Sequence, residues 1–317
     1  MVLPRPAASL AIDGRDLSLP EAAAVWVAVE GTVLGGHDRA TVALGPLSPW
    51  LDLSTGATVE LSLGPGQDNL EPVLTGQIEG VRQLTWGATV AVLATTAKLH
   101  RLRIGRSYTS QSVGDIVRDL CGAAGVTTGD VDDGPTLGAY HVDERRTGWR
   151  HLRDLAGLFC AELTSGPSGE VHVRAPKTGN AQHTLRAGAE LLDWAAGPQL
   201  PAADPLPVGP YGAASEQGTD AWSLIHHAPG GSGAHRVLPA IRDRDAASAI
   251  DDAATAAHNR SAARARVTAT GAPAVRAGDL VELDDVPRAA ATYRVLRIRH
   301  LIDADGFRST LDLEAAE

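Results

Sequence analysis

The stretch 272–313 constrains the fold most, because its apolar residues recur in steps of two, the repeat of an extended chain with one buried side. Phe307, Ser309, Leu311 and Leu313 fall on one side, and Arg308, Thr310, Asp312 and Glu314 fall on the other. Ahead of them lies the β-rich run 292–302. Asp303-Ala304-Asp305-Gly306 joins the two as a hairpin loop in which Gly306 is free to take a positive φ. Arg276-Ala277-Gly278-Asp279 supplies turn chemistry before the short apolar run 280–283. The pattern predicts a β-meander with one buried face. Its other face carries Arg294, Arg297 and Arg299 together with Arg308, Asp312 and Glu314, most simply a solvated sheet surface. In a ring subunit that surface would line a lumen or meet the next subunit, which makes Arg294, Arg297, Arg299, Arg308 and Asp312 candidate interface residues.

The pattern upstream is also β, but not throughout. Between residues 22 and 103 short apolar runs alternate with glycines, and Val59, Leu61 and Leu63 point to one core; such a series suggests a small barrel or sandwich. The period changes after Ser107. Ser112, with Asp115 three residues on, starts a helix whose Val113, Ile116, Val117 and Leu120 share a face, and Gly122 and Gly125 end it. A second helix opens at Thr147 and buries Trp149, Leu152, Leu155, Ala156 and Phe159; a hairpin turning at Gly166-Pro167-Ser168-Gly169 follows. Residues 221–225 read as a strand. The alanine-rich run 243–267 has neither Gly nor Pro before its end and reads as a long helix. Alanine buries little area, so this helix is expected to lean on a neighbour. The division is 1–105, a first β domain; 106–178, an α/β insert; and 179–317, a second β domain interrupted by the helix.

At 317 residues the chain has room for more than one core. Its net charge of −10 argues against a general nucleic-acid-binding surface. No apolar run has the length of a membrane span and no signal peptide is legible, so synthesis in the cytoplasm is expected, with Cys121 and Cys160 as reduced thiols. Signatures of catalysis fail on inspection. Gly230-Gly231-Ser232-Gly233-Ala234 lacks the last glycine of a nucleophile elbow, and Pro176-Lys177-Thr178 lacks the glycine of a phosphate loop. Asp130, Asp132 and Asp133 lack calcium-loop spacing, and His226, His227 and His300 have no partners at metal spacing. Trp149 and Trp194 sit in apolar patterns that read as core. No catalytic, cofactor or metal residue is assigned.

The order of these features resembles the phage late control D family, baseplate hub proteins similar to the first part of the VgrG spike. The resemblance rests on Gly278-Asp279, Tyr293-Arg294-Val295-Leu296, Arg297-Ile298-Arg299-His300 and Asp305-Gly306-Phe307. It also rests on Gly56-Ala57-Thr58-Val59, Gly64 and Leu74-Thr75-Gly76-Gln77-Ile78 in the first domain, and on the run from Gln111 to Val117 and Glu144-Arg145-Arg146-Thr147 in the insert. Thr95-Thr96 stands where that family has an acidic residue, and Cys160 where it prefers glycine. The resemblance implies a mostly β fold with an α+β insert, in which two similar tail-tube-like β-barrels flank a helix-helix-hairpin unit. It implies a structural protein and not an enzyme: a homotrimer whose pseudo-six-fold ring adapts a hexameric tail tube protein to a separate trimeric spike protein, among other baseplate proteins of a contractile injection system. Two alternatives stay open, a tail-tip cell-wall hydrolase and the hub of a non-contractile tail or gene-transfer particle.

Overall fold

In the computed structural model, residues 6–199, 205–206, 208–210, 236–238, 241, 244–287, 289 and 292–316 are described. The run 221–225, His226, His227 and the Gly230–Ala234 motif lie outside them. The chain begins with seven strands: β1 (Ala7–Ile12), β2 (Arg15–Ser18), β3 (Ala24–Thr32), β4 (Arg39–Leu44), β5 (Thr58–Gly64), β6 (Glu71–Leu84) and β7 (Gly87–Ala94). In β5 the residues Val59, Leu61 and Leu63 are buried, as their spacing predicts.

A short helix α1 (Lys98–Arg101) leads into the insert, which contains β8 (Arg106–Ser112), α2 (Val113–Ala124), β9 (Thr128–Val131), β10 (Thr136–Val142), α3 (Gly148–Leu158), β11 (Glu162–Ser165) and β12 (Val171–Arg174). The helices start and stop where local chemistry dictates. The Ser112 hydroxyl accepts from the Asp115 amide, Thr147 accepts from the Arg150 amide, and Gly125 closes α2 in the left-handed conformation at φ 64°. Cys160, where the resembled family prefers glycine, takes a left-handed φ of 54° just past α3.

The remainder supplies β13 (His183–Arg186), β14 (Leu191–Pro198), β15 (Val208–Pro210), β16 (Arg236–Leu238), α4 (Arg244–Arg260), β17 (Ala263–Thr270), β18 (Leu280–Asp284), β19 (Tyr293–Asp303) and β20 (Gly306–Ala315). The alanine-rich helix is thus shorter than its composition suggests. It ends at Arg260, and 263–270 forms a strand that buries Ala265, Val267 and Ala269 while Arg264, Arg266 and Thr268 face outward. Period-two burial against β20 overrides the helix propensity of alanine there.

Mostly β with few helices, the chain joins its two β halves in one large sheet, and three small sheets, β10-β8, β11-β12-β9 and β15-β16, stand apart from it. One 13-stranded sheet runs β14-β17-β20-β19-β3-β4-β7-β6-β5-β1-β2, with β13 and β18 attached at β19. Its pairings are antiparallel except β13 beside β18. The two halves meet at an antiparallel seam in which β19 pairs with β3, Arg297 opposite Thr32 through Ile302 opposite Val27.

Three apolar clusters form the core. One fills the first half, and Ile302 and Phe307 from the β19–β20 hairpin enter it from across the seam. A second lies behind β17, β19 and β20. The third fills the insert, and α4 packs on it through Ala246, Ala247 and Ile250, which is the neighbour a small-residue helix requires. Each fully buried Leu or Ile in these clusters contributes about 1.5–3 kcal/mol relative to exposure.

Candidate functional site

The exposed face of the sheet around the seam is the candidate site, and strand register builds it. Ala195 on β14 lies opposite Arg266 on β17, Arg266 opposite Asp312 on β20, Asp312 opposite Arg297 on β19, and Arg297 opposite Thr32 on β3. The neighbouring row runs Thr310, Arg299, Glu30, Arg39 and Leu93. Charges of opposite sign therefore alternate across five strands. Arg39 donates to Glu30 through Nε at 2.9 Å, Arg299 approaches the same carboxylate at 3.6 Å, and Arg266 approaches Asp312 at 3.7 Å. These pairs are solvated and hold the rows at roughly 0.2–1 kcal/mol each. The face encloses a shallow groove of about 600 Å³, adjoined by a second of about 440 Å³ that reaches Gln199 beyond β14.

Of the candidate interface residues, Arg297, Arg299 and Asp312 come together in this groove. Arg308 sits apart at the hairpin, donating to Asp303 at 2.7 Å. Arg294 corrects the sequence reading: it is 7 % exposed, and Glu314 is 6 % exposed, so neither belongs to a solvated face. A β-bulge explains how Arg294 and Arg297, three residues apart, still start from the same side of β19. Leu296 is the extra residue between the pairs Val295–Leu313 and Arg297–Asp312. Its carbonyl turns to the seam and accepts from the Val33 amide at 3.0 Å and the Thr32 hydroxyl at 3.2 Å.

Arg294 is covered because the insert and α4 close over its end of the strand. Its guanidinium donates to Glu162 on β11 at 2.5 Å and to Glu314 on β20. Arg260 at the end of α4 lies 3.7 Å from Glu314, and Arg174 on β12 lies 3.9 Å from Glu162. Burial pushes the Glu162 carboxyl above its ordinary range against the pull of Arg294 and Arg174, and burial beside Arg294 draws the Arg260 guanidinium down. Gly278 makes room for this knot: at φ +89°, a Cβ there would stand 2.7 Å from Glu162 Oε2. The adjoining Asp279 is buried as well, accepting from Lys177 at 2.7 Å and from the Arg276 amide at 2.8 Å. Insert, helix and sheet are thus tied through one set of charges.

A second junction joins the β3–β4 loop to the insert. Trp149 donates from Nε1 to the Gly35 carbonyl at 2.9 Å, and its ring lies 4.0 Å from that of His37. His37 Nδ1 is 2.9 Å from the Thr96 hydroxyl, which is 2.8 Å from the Ser165 hydroxyl. Burial, and then the nearby His100, lowers the His37 pKa to about 4. Thr96 stands where the resembled family is acidic, and here it is a fully buried bridge. His300 is also buried, its Nδ1 2.9 Å from the Ser309 hydroxyl, and burial lowers it to about 3. Trp194, read as core, is 38 % exposed because β14 is an edge strand.

Glu30, Arg39 and Arg266 complete the groove, and Glu162, Arg174 and Arg260 complete the buried knot. Sequence reasoning missed all six. The alternation Arg264, Arg266, Thr268 was the available signal for Arg266; the others depend on pairings between distant segments.

No protein-family profile matches the chain, and no curated protein matches its sequence. Solved structures do. A tail protein from Neisseria meningitidis MC58 superposes with a TM-score of 0.72 at 14% identity, over 98% of this chain and 96% of that one. The 43 kDa tail protein of prophage MuSo2 from Shewanella oneidensis gives 0.68 at 14% identity over 98% of both chains. An Escherichia coli component of the type VI secretion system, itself structurally similar to the T4 tail proteins gp27 and gp5, gives 0.58 at 13% identity over 96% of this chain and 76% of that one. The resemblance read from the sequence, to phage baseplate hubs and their type VI relatives, therefore holds as a shared fold.

Proposed function

We propose that the chain is a structural hub of a phage tail or contractile injection system. In this reading it assembles with itself as a homotrimer and stands between a tail tube protein and a separate trimeric spike protein, among other baseplate proteins. The single observation that carries the reading is the end-to-end likeness to two tail proteins, one of them from a prophage, over 98% of this chain and nearly all of theirs.

The seam supports the ring. Residues 1–105 and 179–317 are taken as two tube-like β domains and 106–178 as the insert between them. From the seam outward each half offers four strands, β3-β4-β7-β6 and β19-β20-β17-β14. Among the described residues the outer edges are open: β14 has one neighbouring strand, and β6 is covered by β5 and the turn before it only as far as Ile78, which leaves 79–84 bare on that side. Three copies joined β14 to β6 would repeat the seam between chains, pseudo-six-fold, with the charged face turned to a lumen. The exposed Asp193 on β14 and Arg82 on β6 offer one pair of opposite charges across the two edges.

Native mass spectrometry of the purified chain tests this. The expected species is three times the 32.9 kDa protomer. A chain that stays monomeric when concentrated, and stays out of sedimented tail-like particles from its own host, overturns it.

A further inference from the structure

The chain carries 38 Asp and Glu against 28 Lys and Arg, yet the groove at the seam is positive. Five arginines border it: Arg39, Arg264, Arg266, Arg297 and Arg299. Among the described residues three carboxylates answer them, the partly exposed Glu30 and Asp312 in the groove and the buried Glu314, 3.6 Å from Arg264. Arg39, Arg266 and Arg299 keep more than half of their side-chain surface in water, and among the described residues Arg297 has no ion-pair partner. The hydroxyls of Thr32 and Thr310 line the floor between them.

We propose that this groove binds the phosphate backbone of double-stranded nucleic acid without reading its sequence. Guanidiniums and hydroxyls are the groups that contact phosphate oxygens, and such contacts carry no sequence information. The surroundings decide between possible anionic partners. A protein interface wants aromatic or methionine anchors at its centre, whereas Leu34 is the one exposed large apolar side chain lining the two grooves. A single strand wants aromatic platforms for its bases, and among the described lining residues the one ring, His37, is already packed against Trp149 and His100. A duplex, with one charge per about 1.7 Å of axis, needs neither. The acidic remainder of the chain repels the same polymer, which confines contact to the groove and keeps it weak. The net charge of −10, an average over 317 residues, does not describe the local sign of this groove.

Fluorescence anisotropy of a labelled short DNA duplex at low salt, with the full chain in its native assembly, tests the proposal. Binding is expected, and log K should fall against log salt with a slope of roughly −3, as for a few phosphate contacts. Arg266→Glu with Arg297→Glu should weaken binding by about tenfold or more, while Arg297→Lys, which keeps the charge, should retain most of it. Asp312→Asn removes a competing carboxylate without reversing any charge, and should tighten binding; it serves as the readout should the double variant fail to fold. No binding at low salt overturns the proposal, as does an affinity indifferent to all three variants. Polyglutamate bound equally well through the same arginines would assign the groove to an acidic protein and overturn it too.

Discussion

Arg294, Arg297 and Arg299 look alike in sequence, and the structure gives them opposite environments. What separates them is Glu162, which reaches Arg294 from 132 residues away. No local pattern announces that, whereas the burial of Phe307, Leu311 and Leu313 is legible from spacing alone because it needs only the alternation of a strand. Removing one partner of a buried pair leaves the other charge without compensation, which is worse than never having buried it. Glu162→Ala is therefore expected to lower stability by about 3 kcal/mol in urea titration. Glu162→Gln, which keeps the volume and one acceptor, should cost less. A loss within experimental error for Glu162→Ala would mean that Arg294 is satisfied by Glu314 alone.

Among the elements, local chemistry was the more legible part. The caps at Ser112, Thr147 and Gly125 each act within a few residues, and each helix of the insert starts where its cap places it. The end of α4 was not legible, because alanine favours helix while the outward Arg264 and Arg266 mark a strand only once β20 is beside it. The joint between the β3–β4 loop and the insert rests on His37 remaining neutral against Trp149 and His100, with Arg103 and Arg153 acting on His100. Its pKa of about 4 lies below the ordinary 6.5, so the unfolded chain takes up the proton first as pH falls. The stability tied to His37 is full above pH 6.5 and is lost on descent toward pH 4. By pH 5 the loss reaches up to about 2 kcal/mol. His37→Gln should flatten the fall in stability between neutral pH and pH 5 relative to the parent chain; an unchanged slope would remove His37 as its source.

For the whole molecule, the mostly β class was legible from the strand series, but the seam was not. Nothing in 24–32 names 293–303 as its partner; two edges of compatible burial simply meet. The consequence is cooperativity. With Ile302 and Phe307 seated in the apolar cluster of the first half, opening the seam strips both from that core. Scanning calorimetry should show the sheet melting in one transition, and separate transitions for 6–94 and 263–316 would refute the coupling.

The seam also sets a schedule. The Thr32 hydroxyl finds its acceptor on Leu296, 264 residues further on. At cellular rates of about 5–20 residues per second, translation needs roughly 15–50 s to bring that partner out of the ribosome. Throughout that interval β3 offers a bare strand edge beside an apolar run, the kind of template on which nascent chains pair wrongly. Yield of this protein should therefore depend on what shelters that edge during synthesis, more than on how stable the finished sheet becomes.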